Sequence, residues 1–139
     1  MRFSTKVRYG TRALLDLARH QGEGLIPLKD IAQRQQISLH YLEHLITPLI
    51  VAGIVRSSRG YRGGVQLAKP SSEIKLSEVI RLFEGDIVPV ECVDNPEVCS
   101  RSELCVARGM WAELKRAMDE VLESTTLQDL IERQKEEVT

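Results

Sequence analysis

The stretch LKDIAQRQQISLHYLEHLITPLIVAGIVRSSRGYRGGVQLA, positions 28–68, decides how this chain folds. Ile31 and Ala32 carry a helical period that stops at Gln36 and Ile37, which predicts a short helix over 28–35. Ser38 then offers an N-cap for a second helix over 39–52. Its Leu39, Leu42, Leu45, Ile46 and Leu49 recur at spacings of three and four, and Gly53 supplies the stop. Pro48 removes one backbone hydrogen bond inside that helix, so a bend or early loosening is expected there. Two short helices joined by a tight turn make a helix-turn-helix pattern, which many helical proteins use merely as core packing. The residues beyond Gly53 narrow the choice. Residues 54–58 and 65–68 alternate apolar and polar as strands do, and between them runs Arg59-Gly60-Tyr61-Arg62-Gly63-Gly64. A helix-turn-helix joined directly to such a hairpin predicts a winged helix: mainly α, with a small β-hairpin wing.

The wing tip has the chemistry of a groove binder. Glycines such as Gly60 let backbone approach closely, and Arg59 and Arg62 suit a narrow minor groove whose negative potential attracts guanidinium groups. A solvated turn would explain the glycines but not two arginines and a tyrosine beside them. On the helix that Ser38 caps, His40, Tyr41, Glu43 and His44 lie away from the apolar stripe, near the start, where a recognition helix meets base edges. Histidine can donate or accept, glutamate accepts from cytosine N4, and tyrosine reaches phosphate or a thymine methyl. His40 and His44 are four apart and could also hold a cation, although no acidic partner accompanies them in the right place.

Toward the N-terminus, Ser4 or Thr5 can cap a helix carrying Val7, Leu14, Leu15, Leu17 and Ala18, ending before Gly22. The 139 residues, 42% apolar and 28% charged, suit one ordinary domain with a small arm and exclude a large multidomain enzyme. No window approaches the run of about 18 apolar residues that spans a bilayer. No apolar run comes after Arg2, Lys6 and Arg8, so no cleaved signal peptide is expected and the chain is placed in the cytoplasm, without a membrane partner. The net charge of −1 hides a split: positions 1–70 hold 11 Lys and Arg against 4 Asp and Glu, positions 71–139 hold 8 against 16. A half at +7 joined to a half at −8 points the first at a polyanion, with Arg2 and Lys6 counted among its contacts.

Cys92, Cys99 and Cys105 fall within fourteen positions, around the turn-forming Asp94-Asn95-Pro96. An odd, clustered set argues against structural disulfides, and the absence of Cys-x-x-Cys against a thioredoxin-like motif. Thiolates are soft ligands for an iron–sulfur cluster or zinc, and a cofactor-free thiol sensor is the third reading. Beyond them Leu104, Ala107, Trp111, Leu114, Met118 and Val121 step by three and four, as in a helix packed along another helix, so a homodimer seam is expected. Thr125 or Thr126 caps a last helix with Leu127, Leu130 and Ile131. The organisation expected is a DNA-binding winged helix over 1–84, a ligand loop over 85–105, and a dimerisation helix with a C-terminal helix over 106–139. A thiol-dependent enzyme using His20, His40 or His44 as base is the competing class, but no oxyanion or nucleotide motif accompanies the cysteines. A winged helix that binds protein is a further alternative.

With its opening MRFSTKVRYGTRALLDLA, the run from Ile37 to Ile80 and the three later cysteines, the chain resembles the IscR-type family of bacterial winged-helix regulators, which includes NsrR and CymR. The resemblance implies a homodimeric transcription factor on a palindromic double-stranded operator, with Arg59 in the minor groove and the helix after Ser38 in the major groove. It also implies an iron–sulfur cluster, 2Fe-2S in preference to 4Fe-4S, on Cys92, Cys99 and Cys105. One departure concerns the fourth ligand. A relative type has histidine three residues after the last cysteine, where this chain has Arg108; another uses an acidic residue early in the first helix, where this chain has Arg8. Glu91, Asp94, Glu97, Ser100, Ser102 and Glu103 are the remaining candidates, beside an exogenous thiol or water.

Overall fold

Ser4 Oγ accepts the Val7 N–H at 3.3 Å and so starts α1, Thr5–Arg19, in the computed structural model, which describes residues 2–60 and 63–138 and side chains as far as Glu136. Arg62 therefore lies outside the described residues. One face of α1, with Val7, Ala13, Leu14, Leu17 and Ala18, is buried, and α2 (Leu28–Gln35) and α3 (Leu39–Val51) pack across it. Between α2 and α3, Gln36 adopts φ 55°, the one non-glycine residue with positive φ among those described. That conformation costs an L-residue about 1–2 kcal/mol. It is held because Ile37 is buried and its N–H donates to Ala32 O at 3.0 Å.

Leu42, Leu45, Ile46 and Leu49 form the buried stripe of α3, but Leu39 does not join it and is 45% exposed. It opens the first turn on the side toward the wing rather than the core. No early loosening occurs at Pro48: the helix runs on and closes with Ala52 N–H donating to Pro48 O at 3.0 Å. The wing is β1 (Val55–Ser58) antiparallel to β2 (Gly64–Leu67), in register from Val55 with Leu67 to Ser58 with Gly64. Ile26 adds an isolated antiparallel bridge to β2, exchanging hydrogen bonds of 2.8 and 2.9 Å with Val65. Only glycine suits position 64, since a Cβ there would stand 2.4 Å from Ile26 O. At the tip Gly60 takes φ 113° and accepts the Gly63 N–H at 2.9 Å, a turn closed without a side chain at 60.

No helix is expected at 76–84 from the sequence, yet α4 (Leu76–Glu84) forms there, burying Val79 and Ile80. It crosses α1 at Gly10, where a Cβ would meet Phe83 Cε2 at 2.7 Å. Two 3-10 turns, Glu91–Val93 and Pro96–Val98, then lead to α5 (Val106–Ser124) and α6 (Leu127–Val138). Thr126 and Asp129 cap α6 reciprocally, at 2.9 and 3.1 Å. Leu127 and Ile131 are buried against the core beside α1, and Leu127 N–H donates to Ile74 O while Leu76 N–H donates to Thr125 O. By contrast α5 buries none of its residues. Leu104, expected on its stripe, precedes the helix and is 90% exposed.

Among the described residues one charged side chain is buried in the core. Asp16 is 1% exposed and accepts from Arg34 Nε at 3.0 Å, Arg34 Nη2 at 2.7 Å and Gln35 Nε2 at 2.9 Å. Burial alone pushes this carboxyl up, but the bonds from Arg34 and Gln35 outweigh it and hold the group below the usual carboxylate range. The pair fastens α2 to α1 and so sets where α3 points.

Candidate nucleic-acid interface and cysteine segment

At 3.6 residues per turn, the face of α3 opposite its buried stripe carries His40, His44 and Thr47, all exposed. Turned toward the wing are Leu39 and Glu43. Between them and the hairpin runs an open groove of about 510 Å³, lined among others by Leu28, Lys29, Glu43, Thr47, Arg59 and Gly60. The fold thus brings Glu43 of the helix together with Arg59 and Gly60 of the wing. It adds Lys29, which residue type and spacing do not single out although it stands in the first turn of α2, just after Pro27. That helix start has no side-chain cap, its Asp30 N–H donates to Pro27 O at 3.0 Å, and Leu28 and Lys29 of its first turn line the same groove.

Ser38 caps α3, its Oγ accepting the Tyr41 N–H at 3.2 Å. Tyr41 is half-buried, its ring edge-on to Tyr9 of α1 at 5.9 Å between centroids, and the Arg12 guanidinium lies 5.0 Å over that second ring. His40 and His44 stand beside each other, Nε2 to Nε2 at 3.2 Å. Arg2 and Lys6 are exposed, before α1 and in its first turn, and neither lines the groove.

Cys92 is half-buried and Cys99 and Cys105 are exposed; all three are free thiols. Cys105 is the N-cap residue of α5, without a side-chain cap bond. Arg108, in the first turn of that helix, donates from Nε to Cys92 O at 2.9 Å and from Nη2 to Val93 O at 3.5 Å. A guanidinium has no lone pair to offer a metal, so at this position the chain carries a clamp on the Cys92 turn instead of a ligand. A cavity of about 290 Å³ lies beside it, lined by Val93, Ser102, Glu103, Cys105, Arg108 and Gly109. Ser102 is 5% exposed and its Oγ has no hydrogen-bond partner in the structure. By donor chemistry the segment suits an iron–sulfur group: three thiols and one orphaned hydroxyl. It does not gather them, for among the described residues no three His, Cys, Asp or Glu side chains surround a common point. Asp16, the only carboxylate of α1, is bound inside the core and faces no thiol.

Among the described residues no helix is long and apolar enough to cross a membrane. The family model for Rrf2, an iron-dependent transcriptional regulator, matches residues 3–133. The chain is 44% identical over 94% of its length to protein rrf2 of Nitratidesulfovibrio vulgaris, covering 87% of that protein. It also superposes on the structure of CymR, the global cysteine regulator of B. subtilis, with a TM-score of 0.82 and 41% identity, covering 96% of this chain and 98% of that one. T. potens IscR gives a TM-score of 0.80 at 38% identity, over 100% of this chain and 92% of that one. These are regulators rather than enzymes, and the architecture is theirs: the chain belongs to the Rrf2 family of winged-helix transcriptional regulators.

Proposed function

We propose that the chain acts in the cytoplasm as a homodimer that binds a palindromic site on double-stranded DNA, with α3 in the major groove and the wing arginines Arg59 and Arg62 in the adjoining minor groove. The observation that carries this reading is the groove in which Glu43, Arg59, Gly60 and Lys29 converge beside the first turn of α2. Phosphate contacts there position the duplex, and Glu43 and the outward histidines read bases. Support for the homodimer comes from α5: Trp111, Leu114 and Val121 remain exposed on it, and a wholly apolar hollow of about 330 Å³ lies among Phe3, Ile87, Met118, Val121 and Leu122. Residues 1–84 then read DNA, 85–105 sense, and in 106–139 α5 holds the partner while the C-terminal helix α6 closes on the core.

The sensing group proposed is an iron–sulfur cluster, 2Fe-2S rather than 4Fe-4S, held by the Cys92, Cys99 and Cys105 thiolates. When bound, it supplies redox and ligand-exchange chemistry that a thiol lacks. The chain's own part is mechanical. Arg108 ties the Cys92 turn to α5, and Cys105 begins that helix, so a change in the segment is delivered to the helix on which the partner sits. A hundredfold change in DNA affinity needs a difference of about 2.7 kcal/mol between two dimer geometries. The second reading, a zinc-bound or cofactor-free thiol sensor, draws on the separation of the three thiols and on the likeness to CymR.

Strictly anaerobic purification with iron, sulfide and zinc analysis decides between the two: matched iron and sulfide with visible absorption is expected, and a colourless protein supports the second. DNA binding is tested by titrating mapped operator duplex across salt. Arg59→Ala should cost about 1–3 kcal/mol and lower the salt slope by about one, and an unchanged affinity and slope removes the wing assignment.

A further inference from the structure

We propose that His40 and His44 form a chelating pair for a borderline divalent cation such as Zn²⁺, Ni²⁺ or Cu²⁺, and that an ion held there competes with duplex DNA for the outer face of α3. The spacing is already that of a chelate. Two metal–imidazole bonds of about 2.05 Å at a tetrahedral angle set their nitrogens about 3.3 Å apart; the two Nε2 atoms stand 3.2 Å apart. The rings meet edge to face, at 89° with centroids 4.6 Å apart, so a small rotation of the two exposed rings is needed to aim both in-plane lone pairs at one ion. Any proton on one of these Nε2 atoms moves to that ring's Nδ1 or to water when the metal binds, leaving both Nε2 lone pairs for the ion.

Helical spacing explains why the rings meet, since residues four apart lie one above the other on α3, and both are exposed. No third ligand-type side chain joins them among the described residues, so water completes the shell and the ion remains exchangeable. Imidazole donors choose borderline cations over the softer partners of the cysteine segment. The pair is also centred on the face opposite the buried stripe, so an ion with its waters stands between the helix and any base edge, and occupies both nitrogens that would contact one. Metal must then lower DNA affinity by the factor by which DNA lowers metal affinity. This competition rests on the DNA-binding reading; the chelation does not.

The test uses the full chain and Ni²⁺, whose paramagnetism broadens the ring-proton NMR signals of histidines it binds, so that ions on the thiols do not enter the comparison. His20, the third histidine, whose Nδ1 lies 2.8 Å from Asp16 O, is the internal control. His40 and His44 should broaden together at one midpoint at least tenfold below that of His20, and His40→Gln should weaken Ni²⁺ at His44 at least tenfold. Equal midpoints for all three histidines, or an unmoved His44 in that variant, overturn the chelate. Saturating Ni²⁺ should then weaken binding of an operator duplex at least fivefold in the parent, whereas in the His40→Gln/His44→Gln double variant, whose own metal-free affinity is the reference, the ratio of affinities with and without Ni²⁺ should be one. Unchanged duplex affinity with the pair loaded overturns the competition, whereas a chain that binds no duplex before metal is added counts against the DNA-binding proposal itself.

Discussion

The two ends of the molecule differ in what they have finished. Around α1 the chain closes on itself: Leu14, Ile31, Leu42, Val79 and Leu127 are buried, α6 returns to cover the core, and the one carboxylate inside is fully partnered. Along α5 it does not, for the helix buries no side chain and Val106, at its start, is 91% exposed. Hydrophobic burial stabilises only what it covers, so the first region carries its own stability while the second draws stability from whatever it meets.

The sharpest way to break that contrast is to strand the core's charge. Arg34→Met leaves Asp16 buried without its cation, and urea unfolding should show a loss of about 3 kcal/mol, the low end for a broken buried pair because Arg34 is itself 39% exposed. The parent's pH dependence should carry the same signature. Because the folded carboxyl titrates below its unfolded value, its contribution is full above the unfolded pKa and disappears as pH falls through the folded one. Arg34→Met should flatten that acid limb.

Next in size is the other region. Leu114→Glu places a charge in the proposed seam, and sedimentation should show the dimer dissociation constant raised at least a hundredfold, about 2.7 kcal/mol, with the core's unfolding unmoved. An unchanged dimer mass would give that stripe an intramolecular role. Gln36→Gly should stabilise the core slightly, by about 0.5 kcal/mol, since relief of positive φ exceeds the added freedom of the unfolded glycine only by a little. Smallest of all, Cys99→Ser should change core stability by less than about 0.5 kcal/mol, as an exposed substitution does, while sharply lowering retention of the proposed cluster in an iron and sulfide assay.

Where the periodicity is long and a cap residue precedes it, the sequence is readable: Ser4, Ser38 and Thr126 each begin a helix where a hydroxyl next to an apolar stripe predicts one. α4 escapes because its first residue comes after Lys75, which gives no cap bond, and because its Leu-Ser-Glu-Val-Ile opening is as compatible with a strand. Leu39 misleads for a related reason: periodicity records spacing but not which edge of a stripe a first-turn residue occupies. For the candidate interface, the basic wing and the start of α3 can be named from residue types. Lys29 cannot, because its place in the groove depends on how α2 is fastened to α1 by Asp16, a contact between residues distant in sequence. The orphaned hydroxyl of Ser102 is likewise a property of packing, so in the sequence it is only one of several candidates.

The polypeptide leaves the core after Glu84 and rejoins it at Thr125, where Thr125 O accepts the Leu76 N–H at 2.9 Å and Leu127 N–H bonds to Ile74 O at 3.0 Å. Everything between is an excursion with both ends pinned to one rigid body. Such a loop can rearrange internally without the entropy of a new closure, because its ends are already together. It cannot lengthen or shorten for free, however: residues 85–105 and α5 share one fixed span, so a tightening of the former is taken up as a tilt of the latter about its hinge at Thr125. The cysteines lie at the end of α5 far from that hinge and the exposed Leu114 and Val121 nearer to it, so a shift at the thiols turns the whole exposed face, by less the closer a residue stands to Thr125.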